Sequence, residues 1–337
     1  MTHPGAEYHA SDRALDQVDL SPRDAESSMP GPTSGAEVSP LAGLAAEQEI
    51  VSVRQASLWG DAWRRLIRNR LAIIGLAIVV TFVTLAILAP VLAPYSESEV
   101  VDPRLARYEP TWTWPMGLDA NGRDIFSRLI YGARVSLLVG VVAQVIVLLI
   151  GVPVGAMAGY HSGWIGDVIM RIVDVVYAIP LVLLVLLFLN WWGSGLTNIF
   201  IALGVVGWVT MCRLVRAQFL ILREQEYIKA ARVSGAGARY IVVRHLLPNS
   251  LTPIIVALTF GIPEAIFLES AISFVGVGIQ PPQASWGQMV GEGSRLGYIQ
   301  SDPHMLLFPV LAIGLTMLGF TFLGDGLRDA LDPKGND

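Results

Sequence analysis

Several residues are of types that could do chemistry, and their spacing limits what that chemistry is. Asp119, Asn121 and Asp124 place three oxygen ligands within six residues, which suggests a calcium loop. An EF-hand loop needs glycine at its sixth position and glutamate at its twelfth. Here the glycine is fourth, Gly122, and the twelfth residue is Ile130. The stretch reads instead as an Asx turn in an arginine-paired loop. Ser194, between Gly193 and Gly195, together with His161 or His304 raises an intramembrane serine hydrolase. Such a serine needs a base within hydrogen-bond reach. Flanked by Trp191 and Trp192, it reads as a hairpin turn. Cys212 is the only cysteine, so the chain can form no internal disulfide and no Cys-rich zinc site. No Gly-x-x-x-x-Gly-Lys-Ser/Thr occurs, so a phosphate-cradling P-loop is absent from the sequence. Two carboxylates remain, Glu264 and Glu269, in an otherwise uncharged apolar stretch. There an acid is costly unless it faces protein or water. Five residues apart on a helix, they point to different faces: hydrogen bonding between helices is one reading, contact with a partner subunit or a transport path the other.

The elements that position these residues follow from composition. Of 337 residues, 53% are hydrophobic and 15% charged, against about 25% charged in soluble domains. This balance points to the membrane, and nothing in it suggests nucleic acid. Residues 1–56 are rich in Pro, Ser, Gly, Asp and Glu, and read as a disordered tail. They hold no apolar core of the signal-peptide kind, so the tail is expected to be retained. Residues 57–70, with Leu58, Trp63, Leu66 and Ile67 among arginines, read as an amphipathic helix at the membrane surface.

A membrane helix needs about 20 apolar residues. The spans are expected at 71–94, 135–159, 171–191, 196–214, 250–277 and 304–324. Asp174 and Arg171, near the start of the third, are placed to pair. Loops are expected at 95–134 and 279–303 on one side. On the other lie the connection 222–249 and the C-terminal segment 325–337. Fifteen Lys and Arg flank the spans on the side that carries both termini, and six on the other. The positive-inside rule makes the first side cytoplasmic. The fold class is therefore an all-α integral membrane protein of six transmembrane helices, with a disordered N-terminal extension.

The loop 222–249 is unlike its neighbours. Tyr227, Ala230, Ala231 and Ser234 fall on one small-residue helix face. Gly235 and Gly237 break that helix. Tyr240, Val243 and Leu247 resume helical spacing until Pro248, which is expected to end it. A charged anchor would not need a smooth face; a docking surface would.

This loop resembles that of bacterial ABC importer permeases, in which Glu-Ala-Ala is followed by three residues, Gly, and a stretch closing on Leu-Pro. Ala230, Ala231, Gly235, Leu247 and Pro248 stand at the matching positions. Lys229 replaces the family's glutamate, and Glu226 lies one turn earlier on the same helix. Three further stretches, "MGLDANGRDIFSRLIYGARVSL", "ESAISFVGVGIQPPQASWGQMV" and "GDGLRDALDP", resemble the dipeptide, oligopeptide and nickel permeases with a large first outside loop. The resemblance implies the type I importer permease fold and a multi-pass protein of the bacterial inner membrane. It also implies that residues 226–248 form a coupling helix seated on a separate ATPase. The implied partners are a second permease, one or two ATPases that hold ATP and Mg, and an extracytoplasmic binding protein. The chain itself would bind no cofactor and no metal, and would carry no catalytic residue. Nickel or another small solute is the alternative cargo. A self-sufficient secondary transporter or channel is the other class, but such proteins carry internal repeats, and none is visible here.

Overall fold

The computed structural model describes residues 58–331 except 162 and 296. The expected tail 1–56 lies outside the described residues, as does the end of the C-terminal segment. Among the described residues the chain is helical, with one isolated bridge between Leu118 and Asp124. Five helices are long and apolar enough to cross a membrane, and a bent pair makes up to six.

Helix α1 (Leu58–Leu66) buries Ala62 and Leu66 against Ala72 and Ala330, with Leu327 and Leu331 alongside. Trp63 and Ile67 remain exposed. The helix expected over 57–70 is not continuous. Asn69 interrupts it, and its Oδ1 accepts from the Leu71 and Ala72 amides, which starts a new helix. That helix is α2 (Arg70–Ile87), followed by the short α3 (Ala89–Leu92).

The second span is much longer than the 135–159 expected. Helix α4 (Ile125–Tyr160) has 36 residues, which makes it about 54 Å long at 1.5 Å per residue. Arg134 bounds the uncharged run in the sequence, but the helix continues through it and through Arg128, which is buried among acids. Asp124 starts it, its Oδ2 accepting from the Ser127 amide at 2.8 Å.

The third span departs further. In place of one helix at 171–191 stand α5 (Trp164–Ala178) and α6 (Leu181–Trp192), bent by 87°. Pro180 explains the break: it has no N–H to donate and disfavours helical backbone at Ile179, which is extended (φ −91°, ψ 128°). Helix α7 (Leu196–Leu222) runs past the expected end at 214. Its Arg213 reaches Asp174 at 2.6 Å, so Asp174 pairs across helices rather than with Arg171.

Helices α4 and α7 pack along a glycine seam. A Cβ at Gly155 would lie 2.6 Å from the Cys212 carbonyl, and one at Gly159 would lie 2.6 Å from the Phe219 Cβ. Small residues permit this close approach where lipid supplies no hydrophobic drive. The connection after α7 holds α8 (Glu226–Val233), α9 (Ala238–Ile241) and α10 (Leu247–Asn249). The fifth and sixth spans are α11 (Leu251–Phe274) and α14 (His304–Leu331), the latter continuing beyond the expected 324. Between them, where the sequence suggests only a loop, α12 (Trp286–Gly293) is buried against the bundle, followed by α13 (Tyr298–Ser301). The Trp286 side chain is fully buried, its Nε1 donating to the Leu129 carbonyl at 2.9 Å.

Candidate functional site

The connection between α7 and α11 is built on an apolar anchor. Ile228, Ile241 and Leu246 are fully buried and join Val215, Phe219 and Ile254 in one cluster. With Ile228 held inward, the opposite face of α8 is left outward. Glu226, Tyr227, Lys229, Ala230 and Ser234 are exposed, and Ala231 is half-buried. Lys229 lies 3.6 Å from Glu224, both side chains well exposed.

Gly235 ends α8 with φ +84°. The Ala236 amide donates to the Ala231 carbonyl and the Gly235 amide to the Arg232 carbonyl, each at 3.0 Å. These are the two bonds of a Schellman cap, which needs a left-handed residue at the Gly235 position. No atom lies within 4 Å of a Cβ placed there, so the demand is on backbone conformation and not on space.

Pro248 does not stop the helix, contrary to the sequence reading. A π turn over Val242–Leu246 precedes it, with the Leu247 amide donating to the Val242 carbonyl. The wider turn accommodates a ring that would clash in a regular α-helix. The Ser250 amide then reaches the Leu246 carbonyl at 3.1 Å, and α11 follows directly. Leu247 is half-buried against the apolar cluster and Pro248 is exposed. The loop is therefore folded against the bundle and joined to the fifth span by nearly continuous helix. The sequence pattern picked out the outward face but missed the inward anchors, because Ile228, Ile241 and Leu246 are separated by the glycine break.

The two carboxylates of α11 have different surroundings. Glu269 is fully buried, and its Oε1 accepts from Ser273 Oγ at 2.7 Å and Ser285 Oγ at 2.8 Å. Ser285 also caps α12, accepting from the Gln288 amide at 3.1 Å. Glu269 thus ties the fifth span to α12. Glu264 is exposed and lines a cavity of about 610 Å³ with Gln144, Tyr177 and Thr210.

A buried ionic cluster lies outside the residues singled out as a site. Arg128 Nη1 donates to Asp119 Oδ2 and, at 2.6 Å, to Glu292 Oε2. Its Nη2 donates to Gln288 Oε1 at 2.7 Å. Arg123 donates to Asp119 at 2.7 Å and to Glu292 at 2.9 Å. Burial works against the Arg123 charge, but the Asp119 and Glu292 carboxylates outweigh it and raise the Arg123 pKa. Asp119 also makes the Asx turn, its Oδ1 accepting from the Asn121 amide at 2.8 Å. The acids at 119 and 292 are far apart in sequence, so only the arginine-paired loop half of the cluster was legible there.

An all-helical bundle with a folded helical loop before the fifth span and a mainly aliphatic cavity among its spans is a membrane transport component. Residues 151–336 match the family described as binding-protein-dependent transport system inner membrane component, and 57–110 match the N-terminal TM domain of oligopeptide transport permease C. The dipeptide transport system permease protein DppC of Bacillus subtilis is 44% identical over 291 residues, covering 85% of this chain and 90% of that protein. The oligopeptide transport system permease protein OppC of the same organism is 40% identical, covering 88% and 96%. The glutathione transport system permease protein GsiD of Pectobacterium atrosepticum is 39% identical, covering 82% and 91%. A solved structure of the MetNI methionine ABC transporter in inward-facing conformations shares the fold, with a TM-score of 0.52 at 22% identity over 61% of this chain and 96% of that one. The chain belongs to the binding-protein-dependent transport system inner membrane component family.

Proposed function

We propose that this chain is one of two permease subunits of a peptide importer, driven by separate ATPases that hold ATP and Mg, and fed by an extracytoplasmic binding protein. The chain performs no hydrolysis itself; its work is to open and close a path. The observation that carries this reading is the outward face of α8 on a folded base. Its motion would pass through the π turn directly into α11. Peptide as cargo is supported by the dipeptide and oligopeptide permeases among the relatives, and glutathione, itself a peptide, fits the same class. The test is the complete complex in liposomes: ATP-dependent uptake of a labelled dipeptide on addition of loaded binding protein is expected. Uptake that persists without the ATPases would make the chain a self-sufficient transporter and overturn the reading.

Both termini lie on the cytoplasmic side of the bacterial inner membrane in this reading, because arginines crowd the start of α2 and the connection before α11. In a Cys212→Ser background, a cysteine at exposed Ser98 should label from outside intact cells, and one at exposed Ser234 should not. The reverse pattern would invert the topology.

A further inference from the structure

The cavity beside Glu264 owes its existence to the break at Pro180. The 87° bend turns α6 away from α5, and the space is walled by α4, α5, α6, α7 and α11. Its volume, about 610 Å³, falls within the range of roughly 300–1,000 Å³ typical of small-molecule sites. The lining is mainly aliphatic. Gln144, Tyr177 and Thr210 add polar groups, and Glu264 is the sole Asp, Glu, Lys or Arg in it.

Glu264 also differs from two other acids in the spans, Glu269 and Asp174. Glu269 is held by two serines, and Asp174 by Arg213. Among the described residues no hydrogen bond or ion pair reaches the Glu264 carboxylate. Gln144 is committed to the backbone, its Nε2 donating to the Gly261 carbonyl at 2.9 Å. Arg213 lies 4.0 Å over the ring of the lining residue Tyr177 and is paired with Asp174 at 2.6 Å. An unpaired carboxylate in an otherwise aliphatic wall attracts cations and repels anions. Its place within a span makes a role in the path the default reading of such a residue.

We propose that this cavity is a subsite of the transport path that receives a cationic group, the ammonium at the amino terminus of a peptide, opposite the Glu264 carboxylate. The peptide as ligand rests on the importer reading; the selection of positive charge does not. Glu264 acts here as a specificity residue: it favours cargo that presents an ammonium to this wall while the aliphatic lining accepts varied side chains.

The test measures charge selection directly. Thr210→Cys is placed in a Cys212→Ser background in the complete reconstituted complex, with Thr210 retained in the background control. Modification rates are compared for two methanethiosulfonate reagents of similar size, one bearing an ammonium and one a sulfonate, each corrected for its reactivity with free thiol. The ammonium reagent should react about tenfold faster. Glu264→Gln should bring the ratio near one, and Glu264→Asp should retain most of it. An unchanged ratio in Glu264→Gln overturns the proposal, as does a Thr210→Cys thiol that neither reagent reaches. Loss of the second permease from the purified Glu264→Gln complex would also overturn it, since the carboxylate would then be a subunit contact. With the ratio as expected, Glu264→Gln should lower uptake of a free-amine dipeptide more than that of its N-acetylated form, each rate normalised to occupancy of the binding protein. A complex that shows the charge preference but imports no dipeptide would remove the importer reading and the peptide ligand, leaving the cation-selective wall.

Discussion

Ala230→Trp and Gly235→Val should each cut reconstituted uptake by about tenfold or more, the size of effect expected when an anchor in a docking surface is lost. The two act by different routes. Ala230 is exposed on the face of α8 opposite the buried Ile228, so an indole there obstructs an approaching surface without disturbing the bundle. Gly235 holds φ +84° as the turning residue of the Schellman cap. A β-branched residue in that conformation costs about 1–2 kcal/mol or more. The cap then frays, and the outward face loses its fixed direction. Neither change falls in a span, so both variants should insert and assemble with the second permease. Lys229→Ala should be much milder, because its partner Glu224 is also well exposed and such pairs contribute about 0–1 kcal/mol. The check is dipeptide uptake measured beside ATPase copurification. Normal uptake with a full complement of ATPase in both variants would reduce the loop to a topological anchor.

Arg128→Met should destabilise the folded chain by about 3–5 kcal/mol, because removing one partner from a buried ionic cluster leaves uncompensated charge. Arg128 is the hub: its guanidinium reaches Asp119 before α4 as well as Glu292 and Gln288 on α12. Arg123 remains in the variant, but its Nε and Nη2 already serve Asp119 and Glu292. Arg128→Lys should be intermediate, since it restores the charge without the planar fork. The measurements are the thermal midpoint of the purified complex and the rate of proteolysis within residues 95–124, which the cluster holds against α12. An unchanged midpoint and an unchanged cleavage rate in Arg128→Met would refute this role.

Hydropathy alone was enough to state that this is a membrane protein and to find its apolar stretches, because a span must be long and uncharged whatever its neighbours do. The outward face of α8 and its break at Gly235 were also legible, since helix period and the need for positive φ are local properties. So was the Asx turn at Asp119, which involves only residues a few positions apart. Helix ends were not. The start of α4 is set by the Asp124 cap, upstream of the uncharged run that begins after Arg134, and Arg128 within the helix is neutralised by Asp119 and Glu292. The interruption at Asn69 depends on a side-chain cap, and the continuation through Pro248 on a π turn. Only the tertiary structure decided that the third span is bent at Pro180, and that the bend leaves a cavity. It alone separated Glu264 from Glu269. Two carboxylates five residues apart look alike in the sequence, yet one is enclosed by Ser273 and Ser285 while the other faces open space. The difference lies in which helix stands opposite each, and that is set by packing between residues distant in the chain.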